Sequence, residues 1–177
     1  MRQTAHQTIK GVDGMIALRL VHLIEKHSSE LSEGLTSKIL TSARTSNMNK
    51  VPVEELRSRT REILQNLSEW LLTKSASDID RRYLELGARR AAQGVALADY
   101  CWAIVLTKEY IWDFLQRQGF LQSPVEIYGE MELLRLLGQF FDRAICSAVK
   151  GYHQNLQGEV IVEIPVAQRA REAKLAG

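Results

Sequence analysis

No proline falls between Pro124 and Pro165, and the tetrapeptide that opens this run, Ser123-Pro124-Val125-Glu126, is a helix start. Serine at the N-cap, proline at the first helical position and glutamate at the third form a capping box with a preset φ. The spacing predicts one long helix from Pro124 to Gln157. It carries two apolar stripes: Met131, Leu134, Phe141 and Ile145 on one, Leu133, Leu137, Phe140 and Ala144 on the other. A single stripe about 100° wide is enough to seat a helix on a bundle. Two stripes imply burial between several helices, or a helix shared with a second subunit. The second reading, a homodimer through this helix, is the one we favour.

The rest of the chain fits the same class. Only Pro52 precedes Pro124, and no period-two strand pattern occurs before residue 159, so the chain reads as all-α: a globin-like or bundle-like domain of five to six helices. Leu20, Ile24, His27, Leu31, Leu35 and Ile39 recur every three or four residues and predict a first helix from Gly14 to about Leu40, bent near Ser28-Ser29 or Gly34. Thr41–Val51 is expected to be a polar loop. Pro52 then starts a second helix with Leu56, Ile63, Leu67, Trp70 and Leu71 inward. Ser77 is the expected N-cap of a third helix, which turns Ile79, Tyr83 and Leu86 inward and ends at a left-handed Gly94. A fourth helix runs to Gly119 with Leu97, Cys101, Ile104, Ile111 and Leu115 on one side, and Tyr100, Val105 and Trp112 on a second stripe. Residues 1–13 read as a tail, 14–157 as the helical domain and 158–177 as a linker or docking tail.

Composition narrows the functional classes. A chain of 177 residues buries roughly 70% of its unfolded surface and needs no staples. Two cysteines, Cys101 and Cys146, form no disulfide framework and point to a reducing, cytoplasmic setting. Lys and Arg number 23 against 21 Asp and Glu, an excess too small for a nucleic-acid surface. Neither a membrane-spanning stretch nor a secretory leader is legible.

Chemistry-bearing patterns are sparse. His22 and His27 stand five residues apart and diverge on one helix, and His27 with Glu30 forms only one imidazole–carboxylate pair where a di-iron bundle needs two pairs in the reverse order. No nucleophile elbow or phosphate loop is present, and both cysteines fall on apolar helix faces. Arg57, Arg59, Arg61, Arg81, Arg82, Arg89 and Arg90 alternate with acids and read as a solvated face, with Glu85 and Arg89 placed to pair at i, i+4. Catalytic and metal residues are therefore expected to be absent, and no cofactor is implied. The candidate pocket or interface residues are Trp70, Tyr83, Arg90, Tyr100, Trp102, Trp112, Leu133, Leu137, Phe140 and Phe141.

From Tyr83 to Leu115 the order Tyr83, Leu86-Gly87, Arg90, Gly94 and Leu97, followed by an aromatic-rich helix with Trp112, resembles the N-terminal sensory domain of stressosome co-antagonist proteins of the RsbRD type. With the flanking helices, the resemblance covers roughly residues 14–157. It implies kinship with globin-coupled sensors, with the family itself folded as helical non-haem globins that pair through their last long helices. Globin sensors place the haem-ligating histidine four residues before the glycine of this turn, and that position here is Arg90. A guanidinium stays protonated and cannot be that axial ligand. Family members usually carry a downstream output domain, whereas about 20 residues follow the helical body here.

The expectation is thus a non-catalytic sensory or regulatory module. It would be a homodimer, respond to a small apolar ligand or a partner protein through helix packing, and act on a downstream signalling protein supplied by another chain. The alternatives are a globin-like haem or tetrapyrrole carrier using His22 or His153, and a metal-bundle enzyme.

Overall fold

The computed structural model describes residues 12–118 and 124–158. Among them the chain is helical, without a strand: α1 Val12–Lys26, α2 Ser28–Thr41, a 3-10 helix Ala43–Lys50, α3 Val53–Gln65, a π-helical turn Glu69–Thr73, α4 Ala76–Ala92, α5 Leu97–Arg117 and α6 Pro124–Leu156. The capping serine Ser123, Gly119 and both proposed tails lie wholly or largely outside the described residues.

The first apolar stripe is real, but it is carried by two helices. His27 leaves the helical region (φ −97°, ψ 12°) and its ring packs on Phe114 at 5.5 Å. Gly34 lies inside α2, not at a bend, because a side chain there would meet the Tyr110 hydroxyl. The inner face of α2 also buries Ser28, Ser32 and Thr36. Ser32 and Thr36 donate to the carbonyls of Ser29 (2.8 Å) and Ser32 (2.6 Å) on their own helix, which removes most of the cost of hiding a hydroxyl.

The expected loop after Thr41 is instead a 3-10 helix kinked at Thr45 (φ −130°, ψ 28°). Two contacts fold this polar stretch. Thr45 Oγ1 donates to the Ile39 carbonyl, and Asp99 in the first turn of α5 accepts the Asn47 amide at 2.8 Å. Met48 is thereby driven into the core, 1% exposed. Pro52 sits one position earlier than expected, as the N-cap residue of α3. Ser75, rather than Ser77, caps α4: it accepts from the Asp78 amide at 3.2 Å, and Asp78 accepts from the Ser75 amide at 3.0 Å.

α4 ends in a Schellman turn. Gly94 takes φ +69°, its amide donates to Ala91 and the Val95 amide donates to the Arg90 carbonyl. The Tyr152 hydroxyl donates to the Val95 carbonyl at 2.8 Å and ties this turn to the far end of α6.

α6 packs most extensively on α4, then on α1. Along α4 the two backbones touch. A Cβ on Gly87 would stand 2.0 Å from the Ala148 carbonyl oxygen, and one on Gly151 would stand 1.9 Å from that of Leu84. Asp80 fixes the register by accepting from Arg143 Nε (2.8 Å) and Ser147 Oγ (2.7 Å). The Leu133, Leu137, Phe140 and Ala144 stripe is what α6 turns into this chain's own core, at most 3% exposed.

Candidate functional site

Where α2, the 3-10 helix and α3–α6 converge they line a partly open pocket of about 60 Å³. Its walls are mostly apolar, with Ile39, Met48, Leu56, Leu86, Ile104 and Phe141 among them. Four of the sequence candidates meet there: Tyr83 and Arg90 from α4, Tyr100 from α5 and Phe141 from α6. The others do not. Trp70 is half-buried against Phe140, ring centroids 6.1 Å apart, outside the cavity lining. Trp102 is exposed, with the Arg44 guanidinium 4.5 Å over its ring. Trp112 is half-buried on α5, and Leu133, Leu137 and Phe140 belong to the packed core.

Arg90 does not belong to a solvated face. It is 2% exposed, its guanidinium lies over the Tyr100 ring at 5.7 Å, and its Nη1 donates to Glu55 at 2.8 Å and to Gln93. Glu55 is the hub. It also accepts from Arg89 at 2.8 and 3.0 Å and from Gln93 Nε2 at 3.1 Å. Arg89 therefore pairs across helices with Glu55, not with Glu85 on its own turn. Burial by itself would raise the Glu55 pKa, but hydrogen bonds from Arg89 and Arg90 and their charges outweigh it and hold the carboxyl at about 2. A second cluster borders the cavity: Glu62 takes Arg59 at 3.2 Å and Arg82 at 2.5 Å.

The phenols stay protonated. Burial pushes Tyr100 up to about 12 and raises Tyr83 further, with Tyr100's own field adding to the latter. Burial also raises the Cys101 thiol, while Cys146 is exposed and not part of an apolar contact face.

Sequence reasoning missed Glu55, Gln93, Thr60 and Thr107. The last two had a signal: each is a threonine inside an otherwise apolar helical stripe, and each is buried. Glu55 had none, because a first-turn acid is also what the helix dipole alone favours.

His22 and His153, the alternative haem ligands, are both exposed, and neither lines the cavity. His27 Nδ1 lies 3.5 Å from Glu30, and no group of three metal-ligating side chains occurs among the described residues. No described helix is long and apolar enough to cross a membrane.

Residues 29–160 match the family model described as the RsbT co-antagonist protein RsbRD N-terminal domain. The chain belongs to this family. The match covers about three quarters of the sequence, from the second residue of α2 through the whole of α6. The RsbRD N-terminal domain family is a regulatory one, of stressosome signalling proteins that work with protein partners. Comparison with curated proteins and with solved structures found no match.

Proposed function

We propose that this chain is a non-catalytic sensory module. It works as a homodimer through α6, changes its helix packing when a small apolar ligand or a partner protein binds, and passes that change to a downstream signalling protein. The observation that carries the reading is on the outer face of α6. Ile127, Met131 and Leu134 are 45%, 59% and 38% exposed, and they continue at 4-3-4 spacing to Gly138. That spacing is the seam of paired helices.

Gly138 is the telling residue. The glycines elsewhere on α6 have reasons inside the chain: Gly129 makes room for Ile16 and Gly151 for the Leu84 backbone. Nothing lies within 4 Å of where a Gly138 Cβ would stand. A mid-helix glycine costs about 1 kcal/mol against alanine, so a close approach from outside the chain gives it a purpose. A second copy offers the matching apolar seam.

The route from cavity to seam is short. Tyr83 and Arg90 line the cavity on α4, Phe141 lines it on α6, and the backbones of these two helices are in contact. Two packed helices with no slack respond to a change at one by shifting together.

Light scattering at micromolar concentration tests the dimer. The expected mass is about 40 kDa, twice the 20.1 kDa chain. A monomer of 20.1 kDa would remove the seam's function.

A further inference from the structure

Lys108 on α5 reaches Asp142 on α6 at 3.6 Å, and the residues that share its face form an apolar strip. Cys101, Val105 and Trp112 stand seven and three residues before Lys108 and four after it, so all three lie on its side of α5. Val149, seven residues after Asp142, lies on the matching side of α6. All four are half-buried and stand outside the packed core. The Tyr152 bond to Val95 shows that the two helices run antiparallel. The strip is distinct from the Ile127–Gly138 seam, which occupies the other end of α6.

The chain leaves α6 beside this strip. Gly158 takes φ +77°, the left-handed conformation that ends a helix and turns the chain off its axis. The sequence that follows has strand periodicity: Val160, Val162, Ile164 and Val166 fall on one side of an extended chain, Glu159, Ile161, Glu163 and Pro165 on the other. Spacing sets the register. From the Lys108–Asp142 bridge, helix rise carries α6 about 24 Å on to Gly158 and α5 about 10 Å back to Cys101. An extended chain returning from Gly158 covers the difference in about four residues, which brings Val162 level with Cys101. Alternate strand residues step about 6.6 Å, close to the roughly 6 Å between helix residues four apart, so Ile164 meets Val105. Val166 then meets the Trp112 ring, which leans back over the preceding turn.

We propose that residues 159–166 lie back along this strip as an extended segment, with Val162, Ile164 and Val166 on Cys101, Val105 and Trp112. Glu159 and Glu163 then face water. A strand laid on helices has no ladder to complete, so water serves its backbone and Pro165 costs it nothing. Charge agrees: Arg169 and Arg171 follow Val166, and the exposed acids Glu109 and Asp113 flank Trp112. Tethering favours this occupant over any free one, because a short link presents the segment at an effective concentration of about a millimolar. The docked segment lies beside the helix whose movement the sensory reading uses, and so gives a shift of α6 a path out of the helical body.

Cys101 supplies the test. In the full chain with Cys146→Ser, it is the only native thiol. Adding Val162→Cys or Ile161→Cys places a second thiol on the inward or the outward side of the segment, beyond the helical body and without harm to its fold. In oxidised glutathione at one pH, the Val162→Cys protein should form a disulfide to Cys101 within one chain at least about fivefold faster than the Ile161→Cys protein. Separately, Val162→Asp with Ile164→Asp, again with Cys146→Ser, should raise the rate at which a maleimide labels Cys101 about fivefold. Equal disulfide rates, a faster rate from position 161, or bonds formed only between copies would overturn the proposal. An unchanged labelling rate would overturn it too. The dimer through α6 is decided separately by the light-scattering mass.

Discussion

Arg90, buried four residues before the left-handed Gly94, is tied to Glu55 at the start of α3 by a 2.8 Å hydrogen bond. The pair joins two helices at the edge of the cavity and leaves the guanidinium no freedom to reach elsewhere. Removing the carboxylate charge should therefore cost more than one ordinary hydrogen bond. We expect Glu55→Gln to destabilise the fold by about 3 kcal/mol, because it strands Arg90 in a buried site. Chemical denaturation of the two proteins at neutral pH measures this.

The same pair sets an acid limit. The folded-state pKa of Glu55, about 2, lies below its ordinary 4.5, so the stabilisation it brings is complete above pH 4.5 and is lost as pH falls toward 2. The melting temperature of the parent should drop across that window. In Glu55→Gln the drop should be smaller, since one of the depressed carboxyls has gone.

Gly87 and Gly151 bring α4 and α6 into backbone contact, so a methyl at either must push the helices apart. Gly87→Ala is expected to cost about 2 kcal/mol or more by overpacking. Gly138→Ala, with open space around it, should instead leave the isolated fold as stable or up to about 1 kcal/mol more stable. Thermal melts of the three proteins separate a glycine needed by this chain from one that it does not need.

Met131 and Leu134 are exposed, so lysine at both should change fold stability by less than about 0.5 kcal/mol. If the seam pairs, the same double variant should sediment as a monomer where the parent sediments as a dimer. Sedimentation velocity and a thermal melt on one preparation check both halves.

Much of this was legible because helix periodicity is a local signal. The inward set Leu20, Ile24, Leu31, Leu35 and Ile39 is buried as spaced, and Gly94 ends α4 as its position indicated. What escaped is what depends on a partner distant in sequence. The polar stretch 43–50 is held as a helix in part by Asp99, 52 residues away, which receives the Asn47 amide. Arg90 looks like any surface arginine until Glu55, 35 residues away, is folded against it. The two stripes of α6 were visible, but not their roles. Leu133, Leu137 and Phe140 pack on this chain, while Met131 and Leu134 face out. A helical wheel supplies the angle between stripes and cannot say which one the rest of the chain covers.

The central claim is that this module signals by rearranging paired α6 helices. A nitroxide on exposed Cys146, with Cys101 replaced by serine, places one probe near the edge of the seam in each copy. Double electron–electron resonance then reads the distance between copies, in the parent and with the cavity filled by Ala103→Leu. The account predicts one resolved intermolecular distance that shifts when the cavity is filled. A decay with no intermolecular distance, or a distance unmoved by filling the cavity, would contradict it.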